Sequence, residues 1–293
     1  MIQILMLIVI AIIVMYLIRR NFKRKSKWHK PTEAFPTTWR SILTQYVSFY
    51  NHLSEEEKVR FEYKVQEFLL NCRITGIKTE VETIDRVLVA SSAVIPIFGF
   101  KSWRYLNLHE VLLYPATFNQ NFDLTGSSRY IAGMVGSGYM EGKMILSKPA
   151  LRHGFKNEFN NSNTAIHEFV HLIDKLDGSV DGVPMHLLEK QYAIPWMDLM
   201  NKKIAEIYEN RSDINPYGGK NSGEFFAVTS EYFFKNPELL AENHPQLYGF
   251  LEQIFNQDMA SRSLNSGIIE DKDPCPCGSG KEFKDCCGEE QYY

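Results

Sequence analysis

Several features are scarce or absent in this chain of 293 residues. Seven of its 32 basic residues fall between Arg19 and Lys30, which leaves 25 basic against 35 acidic residues elsewhere. The acidic balance of the body argues against nucleic-acid binding, which requires a basic face. The turn Gly136-Ser137-Gly138 is not followed by GxxxxGK, which argues against a nucleotide phosphate loop. The sequence has no internal repeat and no long low-complexity segment.

Charge is also missing from the first eighteen residues, where Ile4 to Ile18 reads ILMLIVIAIIVMYLI. A membrane-spanning helix needs about 20 apolar residues, with a range of roughly 17–25. We therefore predict a transmembrane anchor over residues 1–18, in the lipid bilayer, and a basic juxtamembrane linker over 19–36. Because positive residues stay on the cytoplasmic side, the prediction is a single-pass protein of the cytoplasmic membrane whose body faces the cytoplasm. A cleaved signal peptide is the alternative, but a charged n-region and a small-residue cleavage site are both absent.

The pentapeptide His167-Glu168-Phe169-Val170-His171 matches the pattern HExxH. On a helix, positions i and i+4 share one face, so the imidazoles of His167 and His171 can bind one metal ion. Glu168 would lie beside that ion, where it can accept a proton from a water and return it to a leaving amine. This arrangement is typical of zinc metallopeptidases. Two ordinary helix histidines are the alternative interpretation.

The residues around the pentapeptide favour metal binding. The segment Ser162-Asn163-Thr164 supplies a helix cap, and the helix that follows is apolar on most of its surface and hence buried. Two histidines and a glutamate in a buried helix need polar partners, which a metal ion provides. Asp174 or Asp177 could orient a ligand histidine, although a turn before Gly178 accounts for Asp177 equally well.

A catalytic zinc needs a third protein ligand and an open position for water. No histidine follows at the HExxHxxGxxH spacing, so a glutamate from a later helix is expected. The segment Gly223–Phe234 is the candidate helix, and it offers Glu224 and Glu231, seven residues apart on nearly the same face. Their spacing does not choose between them. The turn at Pro216–Gly219 would hold the Tyr217 hydroxyl near the site as an oxyanion donor.

Residues from about Trp39 to Phe255 resemble the Mlc titration factor A family of zinc-dependent peptidases. The matching segments follow the family's order: LSEEEKVRFEYKVQEFLLN, DRVLVASSAVIPIFGF, VLLYPATF, NTAIHEFVHLIDKLDG, GVP, NPYGGKNSGEFFAVTSEYFF and HPQLY. The resemblance implies a gluzincin, similar to the catalytic domain of anthrax lethal factor. It also implies the site residues, namely the catalytic zinc ligands His167, His171 and Glu224, the base Glu168, the tyrosine Tyr217, and Glu231 in a supporting role.

Two functions are consistent with this resemblance. The first is a membrane-anchored metallopeptidase that hydrolyses peptides or proteins, with an aminopeptidase-like activity. The second is a tethered binding protein that sequesters a transcriptional repressor or another cytoplasmic partner, since members of the family bind a repressor. The intact ligand set favours catalysis because a pure binder has no chemical need of Glu168. A wholly structural zinc is a third interpretation, which predicts that loss of the metal unfolds the body.

The C-terminal segment DPCPCGSGKEFKDCCG predicts a second, structural zinc site. Four thiolates in the pattern C-x-C-x8-C-C can close a tetrahedral site around one ion. The four ligands are Cys275, Cys277, Cys286 and Cys287. The segment resembles the SEC-C motif over residues 274–288, after a linker at 257–273, and the resemblance implies a docking partner. A disulfide pair is the alternative, which is disfavoured where thiols are kept reduced.

The body between these ends carries helical and strand patterns that do not alternate regularly. Ser54-Glu55-Glu56-Glu57 is a capping box, and apolar residues then recur at helical spacing. These expected core residues are Val59, Phe61, Val65, Phe68 and Leu69.

Strands are expected at Val111 to Tyr114, Ile131 to Val135 and Met144 to Ser147. We predict that residues 138–143 form a hairpin at the sheet edge above the zinc, where an extended substrate could pair with it. The predicted fold class is α+β, with a zinc peptidase-like domain over residues 37–256. In that domain, a helical N-terminal part precedes a gluzincin-like core with a small mixed sheet and active-site helices.

Overall fold

The computed structural model describes residues 6, 15, 28–126, 129–156 and 161–264. The chain divides into two compact units, Met1–Lys30 and Pro31–Tyr293. The elements below belong to the second unit. The four cysteines of the predicted C-terminal zinc site lie outside the described residues.

Eleven α-helices and four β-strands occur within the described part of the chain. The helices are α1 (Thr37–Tyr46), α2 (Ser48–Asn51), α3 (Glu55–Asn71), α4 (Thr83–Ile97), α5 (Lys148–Lys156), α6 (Thr164–Asp174), α7 (Ala193–Tyr208), α8 (Ser222–Lys235), α9 (Pro237–Asn243), α10 (Pro245–Phe255) and α11 (Met259–Leu264). The strands are β1 (Arg73–Gly76), β2 (Glu110–Tyr114), β3 (Gly133–Val135) and β4 (Lys143–Ser147).

The four strands form one mixed sheet in the order β1-β2-β4-β3. β1 pairs with β2 and β2 pairs with β4 in parallel, whereas β3 runs antiparallel to β4. Helices precede and follow the sheet without strict alternation, so the predicted α+β class with a small mixed sheet is confirmed.

The predicted hairpin is present at the sheet edge, with its turn at Gly138–Met140, but its edge strand lies before the predicted residues. β4 begins at Lys143 and has a neighbour on each side, β2 and β3, so it is an inner strand. Residues Gly138–Met140 form a single 3₁₀ turn between β3 and β4. The free edge of the sheet on this side is therefore β3, since its outer backbone groups have no strand partner among the described residues.

Helix α4 forms the centre of the hydrophobic core. It is buried from Val87 to Ile97 and packs against α1, α3, α5 and α6. The hydroxyls of Ser91 and Ser92 donate to the carbonyls of Val87 and Leu88 one turn earlier, which removes the cost of burying them. Because α4 supports α6 from behind, the face of α6 that carries the HExxH histidines is fixed in orientation.

Trp196 joins α7 to the loop that follows α6. Its side chain is fully buried, and its indole Nε1 donates to the Gly182 carbonyl at 2.7 Å. The ring also packs against Phe225 and Phe226 of α8 at centroid distances of 6.3 and 6.1 Å. One side chain thus holds this loop and α8 together.

The prediction of a single-pass membrane anchor is wrong. Of the segment 1–18, only Met6 and Met15 belong to the described residues. No helix within the described part of the chain is both long enough and apolar enough to cross a bilayer, where about 20 apolar residues are needed.

Candidate metal centre

Helix α6 presents the pentapeptide HEFVH. The Asn163 side chain caps the helix by accepting a hydrogen bond from the Ile166 N–H at 3.1 Å, which satisfies one of the unpaired donors of the first turn. The apolar residues Ala165, Ile166, Phe169, Val170 and Ile173 are buried, as expected, and Leu172 is partly buried. The imidazoles of His167 and His171 lie one helical turn apart on the same face of α6.

Helix α8 supplies the carboxylates opposite the two histidines. Asn221 caps it by accepting from the Glu224 N–H at 2.9 Å, so Glu224 lies in the first turn. Glu231 follows two turns later on the same face. Helices α6 and α8 pack directly against each other, so both carboxylates lie against α6.

Three donor atoms converge between these helices. His167 Nε2 lies 3.0 Å from His171 Nε2 and 3.0 Å from Glu224 Oε2, and His171 Nε2 lies 3.3 Å from the same oxygen. Among the described residues, this trio is the group of His, Cys, Asp and Glu side chains arranged to hold a metal ion. Zinc–ligand bonds of roughly 2.0–2.2 Å in a tetrahedral site put neighbouring donors about 3.3 Å apart. The donor set and its spacing therefore fit zinc.

Glu231 contacts the His167 ring at the nitrogen that does not face Glu224. Its Oε1 lies 2.7 Å from His167 Nδ1, and its Oε2 accepts hydrogen bonds from the Asn163 N–H at 2.5 Å and from Ser162 Oγ at 3.1 Å. A carboxylate on the far nitrogen of a ligand histidine fixes the tautomer and the ring orientation.

Asp174 does not orient a histidine, contrary to one of the expectations from the sequence. Its Oδ2 accepts the Gly182 N–H at 2.8 Å, within the loop after α6. Asp177 accepts from Ser179 in the same loop.

Glu168 is buried on the neighbouring side of α6, against the edge strand β3. Burial raises the pKa of Glu168 to about 7; His167 opposes this rise, and the charges of Glu224 and Glu231 add to it. A carboxylate with a pKa near neutrality can both accept and release a proton at pH 7.

Tyr217 reaches the site from a 3₁₀ turn, Pro216–Gly219. Asn215 caps that turn by accepting the Tyr217 N–H at 3.0 Å. The Tyr217 hydroxyl donates to Glu224 Oε1 at 3.1 Å, and the ring is half exposed.

Lys220, which sequence reasoning missed, places its ammonium 3.3 Å from the Tyr217 hydroxyl and 3.4 Å from Glu224 Oε1. The sequence could have pointed to Lys220, because it precedes Glu224 by four residues and side chains at this spacing are neighbours on a helix.

The electrostatics of the site favour a bound cation. Burial lowers the pKa of His167, but hydrogen bonds to Glu224 and Glu231 outweigh it and raise that pKa to about 10. Burial opposes ionisation of Glu224, yet its hydrogen bonds to His167 and His171 bring its pKa well below the usual range. The carboxylates of Glu224 and Glu231 thus stabilise positive charge between them, and a divalent ion would supply that charge.

The sequence matches describe a metallopeptidase. The model of the family "Glucose-regulated metallo-peptidase M90" covers residues 19–256, which is well over half of the chain. The protein therefore belongs to the glucose-regulated metallo-peptidase M90 family. The SEC-C motif also matches, over residues 272–289, so the resemblance predicted for the C-terminal segment is confirmed. Both matches indicate zinc as the metal.

The chain is also similar to relatives of comparable length. The chain is 28% identical over 247 residues to an uncharacterized protein of Synechocystis sp., covering 80% of this chain and 88% of the relative. It is 27% identical over 223 residues to Mlc titration factor A of Pectobacterium atrosepticum, covering 72% and 83%. It is also 27% identical over 243 residues to Mlc titration factor A of Escherichia fergusonii, covering 78% and 89%. The predicted resemblance to the Mlc titration factor A family is thus confirmed.

Proposed function

We propose that this protein is a zinc-dependent peptidase of the gluzincin type. His167, His171 and Glu224 would hold the catalytic zinc, and Glu168 would act as general base. The observation that carries the proposal is the convergence of two imidazole nitrogens and one carboxylate oxygen, with a buried glutamate beside them. Membership of a metallopeptidase family supports the same conclusion.

Zinc in this position would act as a Lewis acid that polarises the scissile carbonyl and lowers the pKa of a water toward about 7. Glu168 accepts a proton from that water while the water oxygen bonds to the carbonyl carbon. When the C–N bond breaks, Glu168 returns the proton to the amine nitrogen.

Tyr217 would donate a hydrogen bond to the carbonyl oxygen as negative charge develops there. Its hydroxyl donates to Glu224 Oε1 in the structure and must turn away from that oxygen to do so. The Lys220 ammonium, 3.4 Å from the same oxygen, can then satisfy Glu224 in its place.

The test of the proposal is hydrolysis of a mixed peptide library by the full-length, zinc-loaded protein, read by mass spectrometry. We expect defined cleavage sites that disappear when zinc is removed and return when it is restored. No cleavage by the folded, zinc-loaded protein would contradict the peptidase proposal.

Replacing Tyr217 by phenylalanine is expected to lower kcat by about 10²–10³-fold, the range for loss of one oxyanion donor. KM should change less, since the hydrogen bond forms mainly in the transition state. Steady-state kinetics on a peptide from the library measures both. The matched control is Tyr208→Phe, whose ring is 69% exposed on α7. A Tyr217→Phe protein with an unchanged kcat would exclude this role.

Replacing Glu231 by glutamine is expected to weaken zinc binding by about 10–100-fold, because the carboxylate that orients His167 is lost while all three ligands remain. Competition with a chelator of known affinity measures the change. Glu238→Gln, an exposed acid on α9, is the control. Equal zinc affinity in the two variants would mean that Glu231 only supports the packing of α6 on α8.

A second candidate function is capture of a transcriptional regulator. The similarity to proteins named Mlc titration factor A favours it. The two functions are separable, since binding needs no proton transfer. A regulator that bound Glu168→Gln protein as tightly as wild type would assign binding to a surface independent of catalysis.

We also propose that Cys275, Cys277, Cys286 and Cys287 hold a second, structural zinc ion in the SEC-C motif, as a module that docks a partner. The count of ions is the test. Two zinc ions per full-length chain, and one after all four cysteines are replaced by serine, is the expected result.

A further inference from the structure

The general base proposed above lies against a glycine on the edge strand. A Cβ added to Gly133 would come within 2.6 Å of both Cγ and Oε1 of Glu168 and within 2.9 Å of its Cδ. These three nearest atoms all belong to one side chain. Even alanine at this position would therefore occupy the space in which Glu168 lies.

The backbone conformation does not explain the glycine. Gly133 is absent from the positive-φ residues of the chain, which include Gly138 and Gly142 in the following turns. A residue with a side chain can adopt the local backbone of β3 without strain. The constraint at Gly133 is thus the neighbouring carboxylate.

The register of β3 shows which of its backbone groups face Glu168. Ala132 accepts from the Ser147 N–H and Gly136 donates to the Lys143 carbonyl, so these residues face β4. Alternate residues of an antiparallel strand bond in opposite directions, so the Val135 N–H points to the open edge. The Glu168 carboxylate lies at the same edge, beside Gly133, where a hydrogen bond from the Val135 backbone would lower its pKa. Glu168 can accept this bond only while position 133 leaves room for it.

We propose that Gly133 is a positioning residue for Glu168. The bare Cα holds open the space that lets the carboxylate rest on the strand edge and accept the Val135 N–H. The effect on catalysis rests on the proposed peptidase function, whereas the effect on Glu168 and Val135 does not. Gly133→Ala should displace Glu168 rather than the strand, because a flexible side chain gives way more easily than paired backbone.

The direct test is hydrogen exchange of the Val135 amide, measured by NMR on the full-length, zinc-loaded protein. Gly133→Ala should raise the exchange rate of Val135 to that found in Glu168→Ala, and the amides of β3 that face β4 should stay protected. The control is Gly249→Ala in α10, where an added Cβ meets no atom within 4 Å. An unchanged Val135 exchange rate in Gly133→Ala would overturn the proposal.

Kinetics on a library peptide gives the second readout. Gly133→Ala should lower kcat by about 10²-fold, the cost of a misplacement of roughly 1 Å. KM and zinc affinity should match the Gly249→Ala control. If wild type cleaves no peptide, the peptidase function fails, yet the Val135 exchange still tests the position of Glu168. A kcat equal to that of the control would also overturn the proposal.

A double-mutant cycle, measured as the free energy of unfolding, tests the proposal if Gly133→Ala alone does not fold. The added Cβ meets Glu168, so the pair Gly133→Ala/Glu168→Ala should fold and unfold in urea like Glu168→Ala alone. The two substitutions are then strongly non-additive. Gly133→Ala could instead lower the free energy of unfolding equally in the wild-type and Glu168→Ala backgrounds. The strand itself would then require the glycine, and the proposal would be overturned.

Discussion

A Glu168→Gln protein is expected to bind zinc like wild type and to lose about 10²–10⁴-fold in kcat, the range for a general acid–base group. Glutamine keeps the size of the side chain and can still pack against β3, but its amide cannot accept a proton from water. The carboxylate is suited to this exchange because burial raises its pKa to about 7. It contributes no donor atom to the converging trio, so the metal should remain.

Two measurements decide this prediction. Steady-state hydrolysis of a library peptide gives kcat, and metal analysis of the same sample gives the zinc content. Glu238→Gln, an exposed acid far from α6 in sequence, should match wild type in both. Full activity in zinc-loaded Glu168→Gln would refute the mechanism, whereas loss of zinc would show that the residue also supports the metal centre.

Trp196→Ala is expected to lower the free energy of unfolding by about 3–5 kcal/mol, the usual cost of truncating a buried aromatic residue. The substitution removes a fully buried ring from its contacts with Phe225 and Phe226. It also leaves the Gly182 carbonyl without its indole donor. An orphaned buried acceptor adds to the cost of the cavity.

Urea unfolding followed by circular dichroism measures this loss, read from the midpoint at constant slope. Ile194→Ala is the matched control, since it lies on the same helix with its side chain 71% exposed. A loss in Trp196→Ala no larger than in Ile194→Ala would mean that α7 contributes little to the core.

Local patterns predicted the parts of the fold that depend on short stretches of sequence. The capping box at Ser54 and Glu57 forms as expected, and Phe61, Val65 and Phe68 are buried. Val59, from the same periodic pattern, is 68% exposed. Which stripe of α3 becomes its core face depends on the helices that pack against it, and periodicity alone does not fix that.

The two glutamates of α8 illustrate the same limit at the site. Glu224 and Glu231 share a helix face, and their spacing could not separate them. Residues seven apart on a helix lie about 10 Å apart along its axis. In the folded protein, one reaches His167 Nε2 and the other reaches Nδ1 of the same ring. The crossing of α6 and α8 decides which carboxylate faces which nitrogen, and that crossing is a tertiary property.

The position of the sheet edge was likewise beyond local reasoning. The strands near Val111, Val135 and Met144 were predicted within a few residues. Their order was not, because β4 lies between β2 and β3 only after distant segments pair. Gly133 could not be recognised as a contact of Glu168 until that order was known.

The parallel pairings of the sheet have a consequence for the speed of folding. Arg73 pairs with Glu110, and Glu110 pairs with Lys143, so each pairing closes a loop of more than thirty residues. The entropy of closing such loops is lost before the contacts they permit are gained. We expect the sheet to form late, after helices α3 and α4 have collapsed together, and the protein to fold more slowly than an all-helical bundle of equal length.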